Sequence, residues 1–480
     1  MHSIRAIFGF LCLAATGGAW GAETLHYRVS PAADLERLDV QVCGESEGQM
    51  EFRAGNAAAP RFLSIESGPA RALGDRIRFR GDGDGCFSYA VNLRAALAEG
   101  NRRLAVSRGE TIVMTSGLWL WRRTWPRPAA ESRVEFLLPP GMNVSVPWQP
   151  LAGERQGSTY LIDRSPRSWP DRMALGRLEA SRIQVPGSEL RIAVLPSDAT
   201  VTLADVVPWI SEAAGAVATL YGRFPLPSPQ VLVIPAGPAG EPVPWAQVLR
   251  GGGTSAHFFV DASRSPEEFR QDWTATHELS HMLLPYILRR DAWVSEGFAS
   301  YFQNVLRARA GMLPERDAWL KLYNGFQRGR RGTAGLPLDE ASRDMGQKGL
   351  YMRVYWSGAA IALLADVELR ETSGGRLSLD TALSALADCC LPSERAWSGQ
   401  ELFQRLDELT GTAVFTRLYR QHARSRSFPD LTEVSDRLGI DHGTHGLRFS
   451  RQRRSADLRT AIMSGPDTGS ERLGSALETR

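Results

Sequence analysis

SPEEFRQDWTATHELSHMLLPYILRRDAWVSEGFASYF, residues Ser265–Phe302, is the stretch on which the fold turns. Ser265-Pro266-Glu267-Glu268 is a helix start: a capping serine, a proline suited to the first helical position, and a glutamate three residues after the cap. The helix this predicts runs to about Leu284, because Pro285 disfavours helical geometry in the residue before it. From Trp273 to Ile287 its residues are mostly apolar, so much of it is expected to be buried. Yet His277, Glu278 and His281 fall in that buried part, and ionisable groups are expensive to bury without a partner. A divalent metal is the simplest partner. His277 and His281 are one helical turn apart on one face, so both imidazoles can converge on one ion. Zn²⁺ in a catalytic site takes three protein ligands and keeps a position open for water. Glu278 leaves the helix beside the two imidazoles and suits the role of general base toward that water. Glu296, at the start of the following helix, is the expected third ligand, with fourteen residues between it and His281. The competing reading of the same residues is two helix histidines satisfied by backbone carbonyls, with no metal.

HELSH (His277–His281) followed by SEGFASY (Ser295–Tyr301) resembles the gluzincin zinc metallopeptidases. Further segments are similar, in order, to the glycyl aminopeptidase family, relatives of the alanyl aminopeptidases. They are LHYRVSPAADLERLDVQV (Leu25–Val42), FLLPPGMNVSVPW (Phe136–Trp148), RGGGTSAHFFV (Arg250–Val260), YWSG (Tyr355–Gly358) and SGQELFQRLDELTG (Ser398–Gly411). The resemblance implies one Zn²⁺ per chain on His277, His281 and Glu296, and hydrolysis of peptide bonds with Glu278 as base. It also implies an oxyanion hydrogen bond from Tyr355, with Tyr351 one turn earlier as the fallback. Gly252, Gly253 and Thr254, read as a glycine-led edge strand, would bind substrate backbone by strand addition; the other reading is a glycine hairpin with no ligand. Two departures stand out. The chain has Thr254-Ser255-Ala256 where aminopeptidase relatives carry a glutamate for the substrate's free amine, and Ser357 where YxKG has lysine. Endopeptidase and aminopeptidase modes therefore both remain open. The alternative function is a catalytically inactive, chaperone-like peptide-binding protein on a peptidase scaffold.

The rest of the chain bounds these readings. Its 480 residues suffice for two or three domains, and a net charge of +3 implies no polyanionic partner. The basic residues are nearly all arginine and are scattered, so no nucleic-acid partner is expected. Residues 1–22 read as a secretory signal, with Arg5 before an apolar run from Ala6 to Ala15 and small residues at the exit. A soluble, periplasmic or secreted protein without stable membrane insertion is the expectation, its oligomeric state open. An oxidising compartment permits a Cys43–Cys86 bridge, whereas adjacent Cys389 and Cys390 are expected to be two buried thiols.

The predicted fold is multidomain. An all-β, sandwich-like domain spans 23–197, followed by a thermolysin-like α+β gluzincin unit at 198–311, a helical C-terminal part at 312–440 and a disordered tail at 441–480. Alternation at Leu25–Val29, Leu38–Val42, Arg76–Phe79 and Arg133–Phe136 predicts strands. Gly81-Asp82-Gly83-Asp84-Gly85 reads as a plain turn rather than a calcium loop. Trp119, Trp121 and Trp125 are expected between sheets. Helices are predicted at Leu203–Tyr221, Trp293–Arg309, Glu315–Phe326, Leu350–Thr372, Ser378–Ala387 and Ser398–Leu409, with His442 and His445 as solvated tail residues.

Overall fold

The computed structural model describes residues 24–126, 128, 129, 131–151, 159–162, 164–197, 201–333, 335–443 and 446–465, together with all their side chains except those of 45–47, 82–84, 442 and 443. The expected signal, His445 and the side chain of His442 lie outside them.

The N-terminal domain is built on β-sheets, as its alternation predicts, with a short helix at Leu93–Ala98 packed on its core. A nine-stranded sheet is built around the pair Arg37–Ala54 and Arg76–Asn92, with Thr24–Pro31 and Glu131–Phe136 beside it. A four-stranded sheet that includes Thr111–Met114 and Met173–Gly176 shares one core with it. Trp119 and Trp121 are fully buried there, whereas Trp125 is half exposed. Tyr27 and Tyr89 donate to the carbonyls of Trp121 and Trp119 at 2.9 and 2.8 Å, so even the polar tips of this core are satisfied. Two expectations need correction. Gly81–Gly85 is not a turn but the middle of a long strand, because Gly44–Gly48 opposite keeps the ladder intact through it. The domain also ends before 197. Strands Glu179–Val185 and Ser188–Val194 form a hairpin that joins the next sheet, by parallel pairing of Ser188–Val194 with Gln230–Ala236. Alternation alone could not say which sheet that hairpin completes. Cys43 and Cys86 face each other across the long pair and are bonded, as expected.

The second unit is a mixed five-stranded sheet in the order Glu179–Val185, Ser188–Val194, Gln230–Ala236, Ser255–Asp261, Trp245–Leu249. One face carries the helix Leu203–Ala218 and the metal-motif segment in a common apolar core. The other packs on the N-terminal domain through Leu232, Ile234, Val113 and Ala174.

The predicted helix Ser265–Leu284 is broken. Pro266–Gln271 forms one piece, capped as read by the reciprocal Ser265–Glu268 box. Asp272 is extended and accepts the Thr274 N–H at 2.7 Å, which starts a second helix, Thr274–Ser280, continued by a 3₁₀ turn at His281–Leu283. A side-chain cap competes with the ladder and re-aims the chain.

Beyond it the chain is helical: Ala292–Arg309, Glu315–Arg331, Tyr351–Ser373, Leu379–Cys390 and Gly399–Thr410. The expected disorder from 441 is corrected for the described part. Ile440–Gly443 pairs with Gly446–Phe449, and a helix Arg453–Ser464 buries Ile462 and Met463. Arg309 holds that helix by donating to the Ile462 carbonyl at 2.8 Å. Arginine-rich composition hid a short apolar face. Cys389 and Cys390 are also corrected. They are bonded to each other, and they sit past the buried face of their helix, Cys389 exposed and Cys390 partly buried.

Helices Ala292–Arg309 and Tyr351–Ser373 meet where Gly297 faces Gly358. A Cβ on Gly297 would lie 2.2 Å from Gly358 Cα, and one on Gly358 would lie 1.8 Å from the Trp293 carbonyl oxygen. Only glycine permits this spacing. Gly358→Ala is therefore expected to destabilise the protein by about 3 kcal/mol. Gly215→Ala, inside the helix Leu203–Ala218 with no atom within 4 Å of the added carbon, should stabilise by about 0.5–1 kcal/mol. Denaturant unfolding of the two variants measures both.

Candidate metal centre

Three ligand atoms converge from two helices. His277 Nε2 lies 3.3 Å and His281 Nε2 3.4 Å from the same oxygen of Glu296, Oε2. One ligand atom from each residue falls within 4.8 Å of the others. His277 and His281 come from the broken helix and its terminal 3₁₀ turn, Glu296 from the second turn of Ala292–Arg309.

The outer nitrogens are fixed. His277 Nδ1 donates to Gln303 Oε1 at 2.7 Å, and His281 Nδ1 shares a hydrogen bond with Ser295 Oγ at 2.9 Å. A carbonyl oxygen only accepts, so His277 carries its proton on Nδ1 and turns a bare Nε2 inward. Gln303 is seven residues after Glu296, hence on the same helical face, and Ser295 directly precedes it. The sequence reading gave neither a role, although that spacing was the available signal.

Burial alone would raise the Glu296 carboxyl, but His281 and His277 outweigh it and hold it well below the usual carboxylate range. Burial favours neutral His281, yet Glu296 and Glu278 overcome this and raise its pKa. Glu278 is almost fully buried; burial pushes its pKa up, only partly offset by the two imidazoles. Its carboxyl thus takes and holds a proton more readily than one in water.

Tyr355 stacks its ring on His277, with centroids 5.7 Å apart and planes 14° from parallel. Its hydroxyl faces the Glu296 carboxylate. Burial, then Glu296 and Glu278, raise its pKa far above the ordinary phenol range, so it stays a donor. Tyr351, the fallback, packs edge-on against the Tyr355 ring at 6.2 Å.

Gly252, Gly253 and Thr254 are placed differently from the expectation. They lie at the hairpin turn between Trp245–Leu249 and Ser255–Asp261, wedged against the N-terminal domain. Gly252 N–H donates to Ser165 Oγ at 2.7 Å, and the Thr254 carbonyl accepts from Gln230 at 3.1 Å. A Cβ on Gly252 would lie 2.4 Å from Trp148 Nε1. The strand after the glycines is internal. The sheet edge on this side is Trp245–Leu249, which packs beside the HELSH helix. From the end of that strand, Arg250 donates to the carbonyls of His281 and Leu284 at 2.6 and 3.2 Å, clasping the end of the metal helix. Burial lowers this guanidinium to about 10.

The donor set fits a zinc ion: two imidazoles whose Nε2 atoms face one carboxylate held ionised, with the Glu278 carboxyl close by.

No family sequence model matches the chain, and no characterised protein sequence matches it. Solved structures do. One is an aminopeptidase N family protein from Idiomarina loihiensis, 15% identical, with a TM-score of 0.65 over 87% of this chain and 78% of that one. A mutant M1 zinc metallopeptidase from Deinococcus radiodurans, bound to a Tyr-Ser-Ala substrate, is 15% identical with a TM-score of 0.51 over 85% and 94%. A mutant two-domain M1 zinc metallopeptidase bound to L-arginine is 14% identical with a TM-score of 0.52 over 85% and 94%. The chain has the fold of these M1 metallopeptidases, multidomain with β-sheet units before a helical C-terminal region.

Two outcomes are expected of the centre. Gln303→Leu, which leaves all three ligands in place, should weaken zinc binding about 10- to 100-fold in a competition assay with a chromophoric chelator. Because the His281 pKa is raised, protons compete with metal there. Zinc affinity should be full above that pKa and fall about tenfold per pH unit below it.

Proposed function

We propose that this chain is an exported zinc-dependent metallopeptidase that hydrolyses peptide bonds, with one zinc held by His277, His281 and Glu296. The observation that carries the reading is the convergence of these groups, with Glu278 and Tyr355 beside them, in a chain with the M1 metallopeptidase fold. Solved relatives of that fold are zinc metallopeptidases, one of them bound to a Tyr-Ser-Ala substrate.

When bound, zinc supplies Lewis acidity toward a carbonyl oxygen and acidifies a water. The chain's residues do the rest. Substrate backbone adds to the free edge Trp245–Leu249. Glu278 accepts the proton of the attacking water, held in a site where its raised pKa suits that exchange, and later delivers it to the departing amine. Tyr355, kept protonated, donates to the oxygen that gains charge as the carbonyl becomes tetrahedral. Gln303 holds His277 in the tautomer the site requires, and Ser295 fixes the orientation of the His281 ring.

The strand after the glycines contributes no carboxylate for a substrate's free amine, since Ser255 and Ala256 are both fully buried. Peptides with blocked amino termini should therefore be cleaved at a kcat/KM comparable to that of free ones.

Glu278→Gln should retain zinc while losing about 10²–10⁴ in kcat on a quenched-fluorescence peptide library. Tyr355→Phe should lower kcat by about 10²–10³ with little change in KM. Undiminished hydrolysis by Glu278→Gln would remove the mechanism. Bound zinc with no turnover by the unaltered chain would favour the non-catalytic peptide-binding reading.

A further inference from the structure

We propose that the adjacent pair Cys389–Cys390 is a thiol–disulfide exchange site whose partner is a dithiol, and that its state is transmitted to the segment joining the metal ligands His281 and Glu296. The pair is bonded, and its sulfurs belong to an exposed and a half-buried residue. It forms part of the wall of a cleft of about 920 Å³, shared with Arg164 of the N-terminal domain, Arg395, Trp397 and Glu401. A dithiol in solvent therefore has access, which exchange requires.

The two disulfides differ in what else holds their sulfurs together. Cys43 and Cys86 occupy opposed positions of a long antiparallel ladder, which keeps them facing each other whether bonded or not. Cys389 and Cys390 end the helix Leu379–Cys390, and their bond closes a small ring that fixes the peptide between them. Without it that last turn is held by its own helix, by the Asp388–Arg223 ion pair at 3.0 Å and by the packing of Cys390 on the core, none of which fixes the Cys389–Cys390 peptide itself.

The chain just past the pair runs to the metal centre. After the short loop Leu391–Ala396, Trp397 N–H donates to the Tyr286 carbonyl at 2.8 Å, and Leu288 N–H donates to the Trp397 carbonyl at 2.9 Å. These two bonds make the isolated bridge between Ile287 and Trp397. The Trp397 indole donates to Ser393 Oγ at 2.9 Å, and the Arg395 guanidinium lies 4.7 Å over the same ring, so the loop is braced on that ring. Tyr286–Leu288 lies in the connection between His281 and Glu296, and Tyr286 packs edge-on against Trp169 of the N-terminal domain at 5.0 Å.

The exchange balances. One thiolate of the dithiol attacks a cysteine sulfur, forming a mixed disulfide and expelling the other cysteine as a thiolate that takes up a proton. The reagent's second thiol, deprotonated, attacks its own sulfur in the mixed disulfide, closing the reagent's disulfide and releasing the second cysteine. Two electrons and two protons pass from dithiol to protein. The peptide between Cys389 and Cys390 is then released from its ring, and the loop to Trp397 loosens its hold on Tyr286–Leu288.

The test uses the full chain and does not depend on peptidase activity. Folded protein is treated with dithiothreitol, alkylated with iodoacetamide and mapped by peptide mass spectrometry, with hydrogen exchange followed at Tyr286–Leu288 and Trp397. The expected result is alkylation of both Cys389 and Cys390 with native far-UV dichroism, and exchange at Leu288 and Trp397 faster by about tenfold or more. The Cys389→Ser/Cys390→Ser variant should exchange at the fast rate with or without dithiothreitol. Three results would overturn the proposal: failure of the pair to react in the folded protein; exchange unchanged within about twofold after full alkylation; or a dithiothreitol response in the double-serine variant, which would assign the effect to metal loss or to reduction of Cys43–Cys86. Should the variant not fold, reduction of the unaltered chain decides alone.

Discussion

Two imidazoles and two carboxylates sit where the sequence around them is apolar, and the structure depends on offsetting the cost of burying them. Glu296 does most of it. One of its oxygens faces both Nε2 atoms, and the imidazoles in turn hold it ionised against a burial that would otherwise neutralise it. Remove the convergence and several buried ionisable groups are left unpaired, a far larger penalty than the loss of any one contact.

Much of the surrounding architecture serves that meeting. Asp272 breaks the first helix so that His277 and His281 start from a new axis. Arg250 clasps the carbonyls at the end of that helix and ties it to the sheet hairpin. Gly297, next to Glu296, lets the helix carrying Tyr355 approach to backbone contact at Gly358. Gln303 and Ser295 then set the ring orientations. The glycine turn Gly251–Gly253 fastens the sheet to the N-terminal domain, so the centre is positioned by both units.

The legible part was what local pattern and spacing carry. His277, Glu278 and His281 could be named from their spacing on one helix, Glu296 from its place at the start of the next helix and the gluzincin resemblance, and Tyr355 from the resemblance; the structure brings them together. The strand alternation from Leu25 and the helices from Trp293 onward were legible for the same reason. The illegible part was decided by partners distant in sequence. Gly81–Gly85 reads as a turn until Gly44–Gly48 pairs with it. Glu179–Val194 alternates like the strands before it, yet belongs to the sheet after it. Gly252–Thr254 looked like a free edge, but Trp245–Leu249 lies outside it. Asp272 was one acidic residue in a helical run until its carboxylate found the Thr274 amide. The folded part of 441–465 was masked by arginines whose partners, such as the Leu438 carbonyl for Arg459, lie elsewhere in the chain.

Anomalous diffraction at the zinc edge, from crystals of the unaltered chain grown with equimolar zinc, tests the central claim most directly. The account requires one strong peak per chain, about 2.0–2.2 Å from His277 Nε2, His281 Nε2 and a Glu296 oxygen. A strong peak held by other residues, or crystals in which these three groups face each other with no peak between them, would contradict it.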